Sequence, residues 1–101
     1  MAPYHRKMRA DDIVTRLSAL AHDARLDICR ALARAGAEGL AAADLAGRAK
    51  ITPPSLTHHA KILMHAGILG QERQGRSVVY RLRPEAVGDV AEALATLAAE
   101  A

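Results

Sequence analysis

Residues 51–83 read ITPPSLTHHAKILMHAGILGQERQGRSVVYRLR, and the architecture follows from how this stretch divides. Thr52 is a good N-cap, because its hydroxyl can accept from an amide of the first helical turn. Pro53 suits the first helical position, where a missing N–H costs nothing. From there Leu56, Ala60 and Leu63 recur at helical spacing until Gly67, which is placed to stop the helix. The period then changes from 3.6 to 2. LGQER and SVVYRLR are strand candidates joined by a short turn around Gln74, Gly75 and Arg76. Val79 between Val78 and Tyr80 leaves the alternation of the second strand imperfect.

On the N-terminal side, Asp11 or Asp12 can cap a first helix carrying Ile13, Val14, Leu17 and Leu20. Asp23 then caps a second helix with Leu26, Cys29, Leu32 and Ala33 on one face and Gly36 at its end. GAEGL reads as a loop, and AAADLAGRAK as a short third helix burying Leu45 and Ala49. On the C-terminal side, Pro84 opens a last helix in which Val87, Val90 (or Ala91), Leu94 and Leu97 repeat at three-four spacing. The order is helix, helix, helix, helix, hairpin, helix. A short helix, a tight turn, a second helix and a two-stranded wing make a winged helix-turn-helix. The predicted fold is mainly α with a small β-hairpin, one domain over 1–101, and a helical dimer interface from the first and last helices. That interface is assigned to Ile13, Leu17, Leu20, Val87, Val90, Leu94 and Leu97.

Composition agrees with a second subunit. The 101 residues are 50% hydrophobic, but alanine inflates the figure, and there is no Phe or Trp. A core of Leu, Ile, Val and Met in so short a chain is thin, and burial against a copy would extend it. Charged residues at 25% and short apolar runs exclude disorder and a membrane span. Residues 1–12 are polar and basic with no apolar stretch after them, so no signal peptide is expected and the predicted location is cytoplasmic. Cys29 is the sole cysteine and by itself makes neither a disulfide nor a thiolate metal cage.

Net charge is +3, and its distribution says more than its size. Residues 46–83 carry Arg48, Lys50, Lys61, Arg73, Arg76, Arg81 and Arg83 against Glu72 alone, whereas the tail from Pro84 is purely acidic. Arg6, Lys7 and Arg9 make the N-terminus basic as well. A charge run alone is as often a solvated face as a binding surface. Here it coincides with the helix over Thr52–His65, whose outward side at 100° per residue holds Pro54, His58, Lys61 and His65, flanked by Ser55 and Thr57.

Such a helix fits a DNA major groove. Ser, Thr and His can bond to base edges while Lys61 reaches backbone or guanine. Its first turn is expected to offer free amides and a positive dipole end to phosphate. The wing presents Arg73, Arg76 and Arg81, with Arg76 at the turn, where it can reach a minor groove or phosphate. The candidate DNA-binding set is Thr52, Pro54, Ser55, Thr57, His58, Lys61, Arg73, Arg76 and Ser77. Lack of exposed aromatics argues against single-stranded nucleic acid. No nucleophile–base pair, glycine-rich phosphate loop or carboxylate pair stands out, so an enzyme is not expected. A winged helix used only for protein contact, its basic block facing an acidic partner, is a further reading.

LSALAHDARLDICRAL, DLAGRAKITPPSLTHHAKILMHAGIL and RQGRSVVYRL resemble the ArsR family of bacterial winged-helix repressors, from about Leu17 to Leu82. The resemblance implies a homodimer that binds an operator palindrome and represses transcription, with Thr57 and His58 where the family contacts bases and Arg76 in the wing. Pro53 departs from the pattern, where the family often has a polar reader such as Gln.

Many members of that family sense metal. Their thiolate site lies in a segment like ELCVCDL; this chain has GLAAADL, with Ala41 and Ala43 at the cysteine positions. Their zinc site on the last helix needs Asp, two His and a further His or Glu. Here Asp89 is present, Ala91 takes the first His position, and the second lies beyond residue 101. No metal and no cofactor are therefore expected. Adjacent His58 and His59 point about 100° apart and do not easily share a tetrahedral ion. His58 is read as a DNA contact and His59 as packed or hydrogen-bonded. His5 and His22 are read as surface or capping residues, His5 with a dimer mate's residue being a remote metal option. Thiol-sensing relatives use two cysteines, one of them at the place of Arg30, so Cys29 is read as structural. The alternative is a metal- or thiol-responsive repressor using the histidines or Cys29. The operator and the inducer are left open.

Overall fold

The computed structural model describes residues 10–101. Arg6, Lys7, Arg9 and the remote metal option at His5 lie outside the described residues. The elements run α1 (Ala10–Leu20), α2 (Asp23–Ala35), a 3-10 turn (Gly36–Glu38), β1 (Leu40–Ala41), α3 (Ala42–Ala49), α4 (Pro53–His65), β2 (Leu69–Gln74), β3 (Ser77–Leu82) and α5 (Pro84–Glu100). Among the described residues, five α-helices and a small antiparallel sheet form a winged helix-turn-helix.

The expected hairpin is present, with Gln74 opposite Ser77 and a two-residue turn of Gly75 and Arg76. Gly75 has φ +64, the left-handed conformation that such turns demand. A third strand was not foreseen. Within GAEGL, expected to be loop, Leu40 joins Ala41 in β1 and pairs antiparallel with β3, giving the order β1-β3-β2. This explains the irregular alternation. Val78, Tyr80 and Leu82 turn toward the helices, while Val79, flanked by Ala41 and Glu72, is buried in a strand that is central rather than at an edge.

The core sits between α2, α3, α4 and the sheet. Ile28, Leu32, Leu45, Leu56, Leu63, Ile68 and Leu69 are its largest fully buried side chains. Leu45 and Ala49 of α3, and Leu56, Ala60 and Leu63 of α4, lie inside as their spacing predicted. The reading of α2 needs correction. Its buried face is Ile28, Cys29, Ala31 and Leu32, whereas Leu26 and Ala33 are exposed. Alanine and leucine occupy several faces of this helix, which leaves its apolar stripe ambiguous in the sequence.

Two caps also differ. The described part of α1 opens at Ala10, so positions 11 and 12 lie inside the helix and not at its cap. At α2 the cap is His22, not Asp23: His22 Nδ1 accepts from the Ala24 amide at 3.1 Å. Asp23 becomes the first helical residue. The α3–α4 turn is three residues long, and Lys50 takes the left-handed conformation with φ +58.

α1 packs beside α5, tied by Arg16, whose Nη1 lies 3.6 Å from Asp89 Oδ2 while its Nε donates to the Ala66 carbonyl at 3.0 Å. Val90 and Ala86 face into the protomer, so Val90 does not offer the exposed seam assigned to it. Val87 also packs against the core, and Ile13 and Leu20 are half-buried. Leu17 and Leu94 are among the exposed large hydrophobics, and Val14 and Leu97 are 65% and 66% exposed.

Candidate nucleic-acid interface

α4 starts as its sequence dictates. Thr52 Oγ1 accepts from the Ser55 amide at 3.3 Å, and the Leu56 amide bonds to the Thr52 carbonyl at 2.9 Å. The expected free amides are absent from this turn, because Pro53 and Pro54 have no N–H and Ser55 donates to the cap. This helix end therefore offers an anion no free amide in its first turn, only side chains.

Beyond the first turn, Thr57, His58, Lys61 and His65 are exposed on one side of α4, with Thr52 and Pro54 exposed at its start and Ser55 half-buried. Thr57 Oγ1 donates to the Pro53 carbonyl at 3.1 Å. Its proton is thereby used, which leaves the oxygen as an acceptor and the methyl free for apolar contact. Adenine and cytosine amino groups and the thymine methyl are suitable partners. An open groove of about 460 Å³ separates Lys61 and His65 from Thr15 and Ser18 of α1, so this end of α4 is not covered by its neighbour.

At the wing, Arg73, Arg76 and Ser77 are exposed. Arg81 is not available in the way the sequence implied. Its Nη1 pairs with Glu72 Oε1 at 2.6 Å and its Nε donates to the Ala37 carbonyl at 3.0 Å, bracing β3 against β2 and the 3-10 turn. Among the described residues neither Arg73 nor Arg76 has such a tie, and Arg76 sits at the tip.

His59 is the buried member of the histidine pair, 8% exposed, as the packed reading required. Its Nδ1 lies 3.1 Å from Arg25 Nη1, and the His22 and His58 rings lie 4.7 and 5.0 Å away, centroid to centroid. Burial, helped by repulsion from His22, Arg25 and His58, holds its pKa below the ordinary 6.5. An unfolded chain therefore binds this proton more readily. Folding stability is expected to fall as pH drops below 6.5 toward the depressed folded value, and this contribution is complete above 6.5. Urea titrations at about pH 5 and about pH 7.5 check this: the difference in midpoint should shrink in His59→Gln, and an equal difference in both proteins would refute it. Sequence reading missed Arg25 entirely, since a lone arginine on a helix carries no local signal of its partner.

Cys29 is buried, and desolvation pushes its thiol up to about 11. It is almost wholly protonated at neutral pH and a poor nucleophile or ligand. Asp89 pairs with Arg16. Among the described residues, no three His, Cys, Asp or Glu side chains form a group that could hold a metal ion. Nor is any described helix long and apolar enough to cross a membrane.

Residues 20–72, covering α2 through most of β2, match the helix-turn-helix domain family. The biofilm growth-associated repressor of Agrobacterium fabrum (strain C58) is 30% identical over 86 residues, 85% of this chain and 71% of that protein. The chain belongs to the ArsR family of winged-helix regulators. A crystal structure of an ArsR family transcriptional regulator superposes with a TM-score of 0.77 at 23% identity, covering 91% of this chain and 92% of that one, a likeness of fold. The homodimeric winged helix-turn-helix DNA-binding domain of a possible ArsR-family regulator from Mycobacterium bovis superposes at 0.68 with 27% identity, over 89% and 82%. In this ArsR protein, then, α3 and α4 are the helix-turn-helix and β2–β3 the wing. It is a DNA-binding transcriptional regulator, a family that works by binding rather than by catalysis.

Proposed function

We propose that the chain is a cytoplasmic, homodimeric repressor of one domain per protomer that binds a palindromic operator. α4 of each protomer enters a major groove, where Ser55, Thr57 and His58 meet base edges, and Thr52 and Pro54 lie against the groove wall. Lys61, Arg73, Arg76 and Ser77 hold the phosphate backbone, with Arg76 reaching across the groove edge. The observation that carries this reading is the uncovered polar side of α4 beside an unbraced cationic wing tip. The exposed apolar side chains of α1 and α5, Val14, Leu17, Leu94 and Leu97, support a symmetric interface formed by those helices. The raised thiol of Cys29 and the pairing of Asp89 support regulation by a signal other than thiol chemistry or zinc on α5.

Capture of genomic fragments on the purified protein, followed by sequencing, tests this and yields the operator. Enriched fragments should share two half-sites about 34–36 Å apart, centre to centre, because both reading helices must face one side of the duplex. Enrichment of no duplex would refute it.

Lys61→Ala combined with Arg76→Ala removes two phosphate contacts per protomer. Affinity should fall on the order of a hundredfold at low salt, and the log–log salt slope should become shallower by about 3 to 4 for the dimer. Fluorescence anisotropy across a salt series measures both. An unchanged slope would mean that the wing and α4 do not touch the backbone.

A further inference from the structure

We propose that Arg25 is a positioning residue for operator recognition, locking α4 at its working angle through His59. The proposal rests on the reading of α4 as the base-contacting helix. One guanidinium spans three helices. Arg25 projects from α2, its Nε donates to the Ala19 carbonyl in the last turn of α1 at 2.6 Å, and its Nη1 lies 3.1 Å from His59 Nδ1 on α4. A guanidinium has no acceptor, so Nδ1 must accept, and His59 is the neutral ring with its proton on Nε2.

Arg16 holds the C-cap carbonyl of α4 at Ala66, whereas the other buried side chains along the helix, Leu56, Ala60 and Leu63, are apolar. Apolar packing is non-directional and fixes depth more firmly than rotation or slide along the axis. A charged hydrogen bond from a planar fork is directional. His59 adjoins His58 and lies two residues from Thr57, both on the exposed side of the same helix, so the lock sits directly behind the reading face. Base-edge hydrogen bonds tolerate only a few tenths of an ångström, whereas Lys61 and Arg76 can follow a phosphate with flexible side chains. Loss of the lock therefore reduces discrimination between sequences while leaving backbone attraction intact.

Protonation of His59 has the same consequence as removing Arg25. The new proton lands on Nδ1, turns the acceptor into a donor, and adds a positive charge facing Arg25 between the His22 and His58 rings. Acid and the Arg25 substitution thus act on one contact.

The test uses the enriched operator fragment and a scrambled duplex of equal length. Arg25→Ala should weaken operator binding on the order of tenfold and leave scrambled-duplex affinity within about twofold, with an unchanged salt slope. A loss on both duplexes with a slope shallower by about 1 per contact would make Arg25 a phosphate ligand and overturn the proposal. Arg25→Ala with His59→Ala should be no worse than either alone, whereas additive losses would overturn the coupling.

Arg25→Lys reaches one acceptor at a time and should recover part of the discrimination, and serves if the alanine variant folds poorly. His59→Gln keeps an acceptor that does not titrate. Its operator-to-scrambled ratio should fall less on acidification than the wild-type ratio, the exposed His58 being common to both; equal falls in both would overturn the role of His59. Nitrogen-15 shifts of the free protein report the His59 tautomer without DNA. An Nδ1 shift that moves in Arg25→Ala while operator affinity does not would overturn positioning and leave α4 as the reading helix. A wild-type chain that binds no duplex would overturn both.

Discussion

Leu94→Glu is expected to leave the protomer folded while converting dimers to monomers at micromolar concentration. Leu94 is 46% exposed on α5, so a carboxylate there stays hydrated in the isolated protomer. In a two-fold interface the same position is buried twice, and each copy would take an unpaired charge out of water. At several kcal/mol per charge, the dimer dissociation constant should rise by about a thousandfold or more. Operator affinity falls with it, because a monomer grips one half-site and loses the linkage to the second, on the order of a hundredfold. Sedimentation velocity and anisotropy read the two effects separately. A dimeric Leu94→Glu with normal affinity would place the interface elsewhere than α1 and α5.

Gly39→Ala should be the most damaging small change in the chain. Gly39 has φ +70 and ψ −165, a region essentially closed to residues with a Cβ. A Cβ at this position would also lie 2.3 Å from the Tyr80 carbonyl oxygen and 2.7 Å from Arg81 Cγ. The carbonyl belongs to the central strand and cannot retreat without breaking the β1–β3 pairing of Leu40 with Tyr80. Backbone strain and the clash together should cost about 3 to 5 kcal/mol, a large share of the stability of a small domain. The melting temperature should fall by about 15 to 30 °C. Gly36→Ala is the control: its φ is also positive, +74, but nothing lies within 4 Å of the added carbon. Equal losses at both positions would show that strain alone, and not the approach to Tyr80, governs the site.

Much of this was legible in the chain because the relevant forces are local. Thr52 and Pro53 mark the start of α4 through cap geometry and ring closure, and Leu56, Ala60 and Leu63 mark its buried face through helical period. Gly75 marks the wing turn through its permitted φ. The exposed side of α4 follows from the buried one by subtraction, which is why Thr57, His58 and Lys61 could be named before any coordinates. Alanine blurred the same reasoning in α2, where a residue that is tolerated both inside and outside leaves the stripe ambiguous and misplaced Leu26 and Ala33.

The order of the helices and the hairpin, including the helix-turn-helix and the wing, is written locally in the chain, since each depends on neighbours a few residues apart. Which distant groups meet is set by the folded chain. Leu40 reaches Tyr80 to make a third strand, Val90 turns into the protomer instead of toward a partner, Arg81 is spent on Glu72 and Ala37, and Arg25 reaches His59. A strand of two residues has no period to detect, and a single arginine gives no sign of its acceptor. Arg25 and His59 are 34 residues apart and Arg81 and Ala37 are 44 apart, so these contacts exist only once the chain has closed on itself.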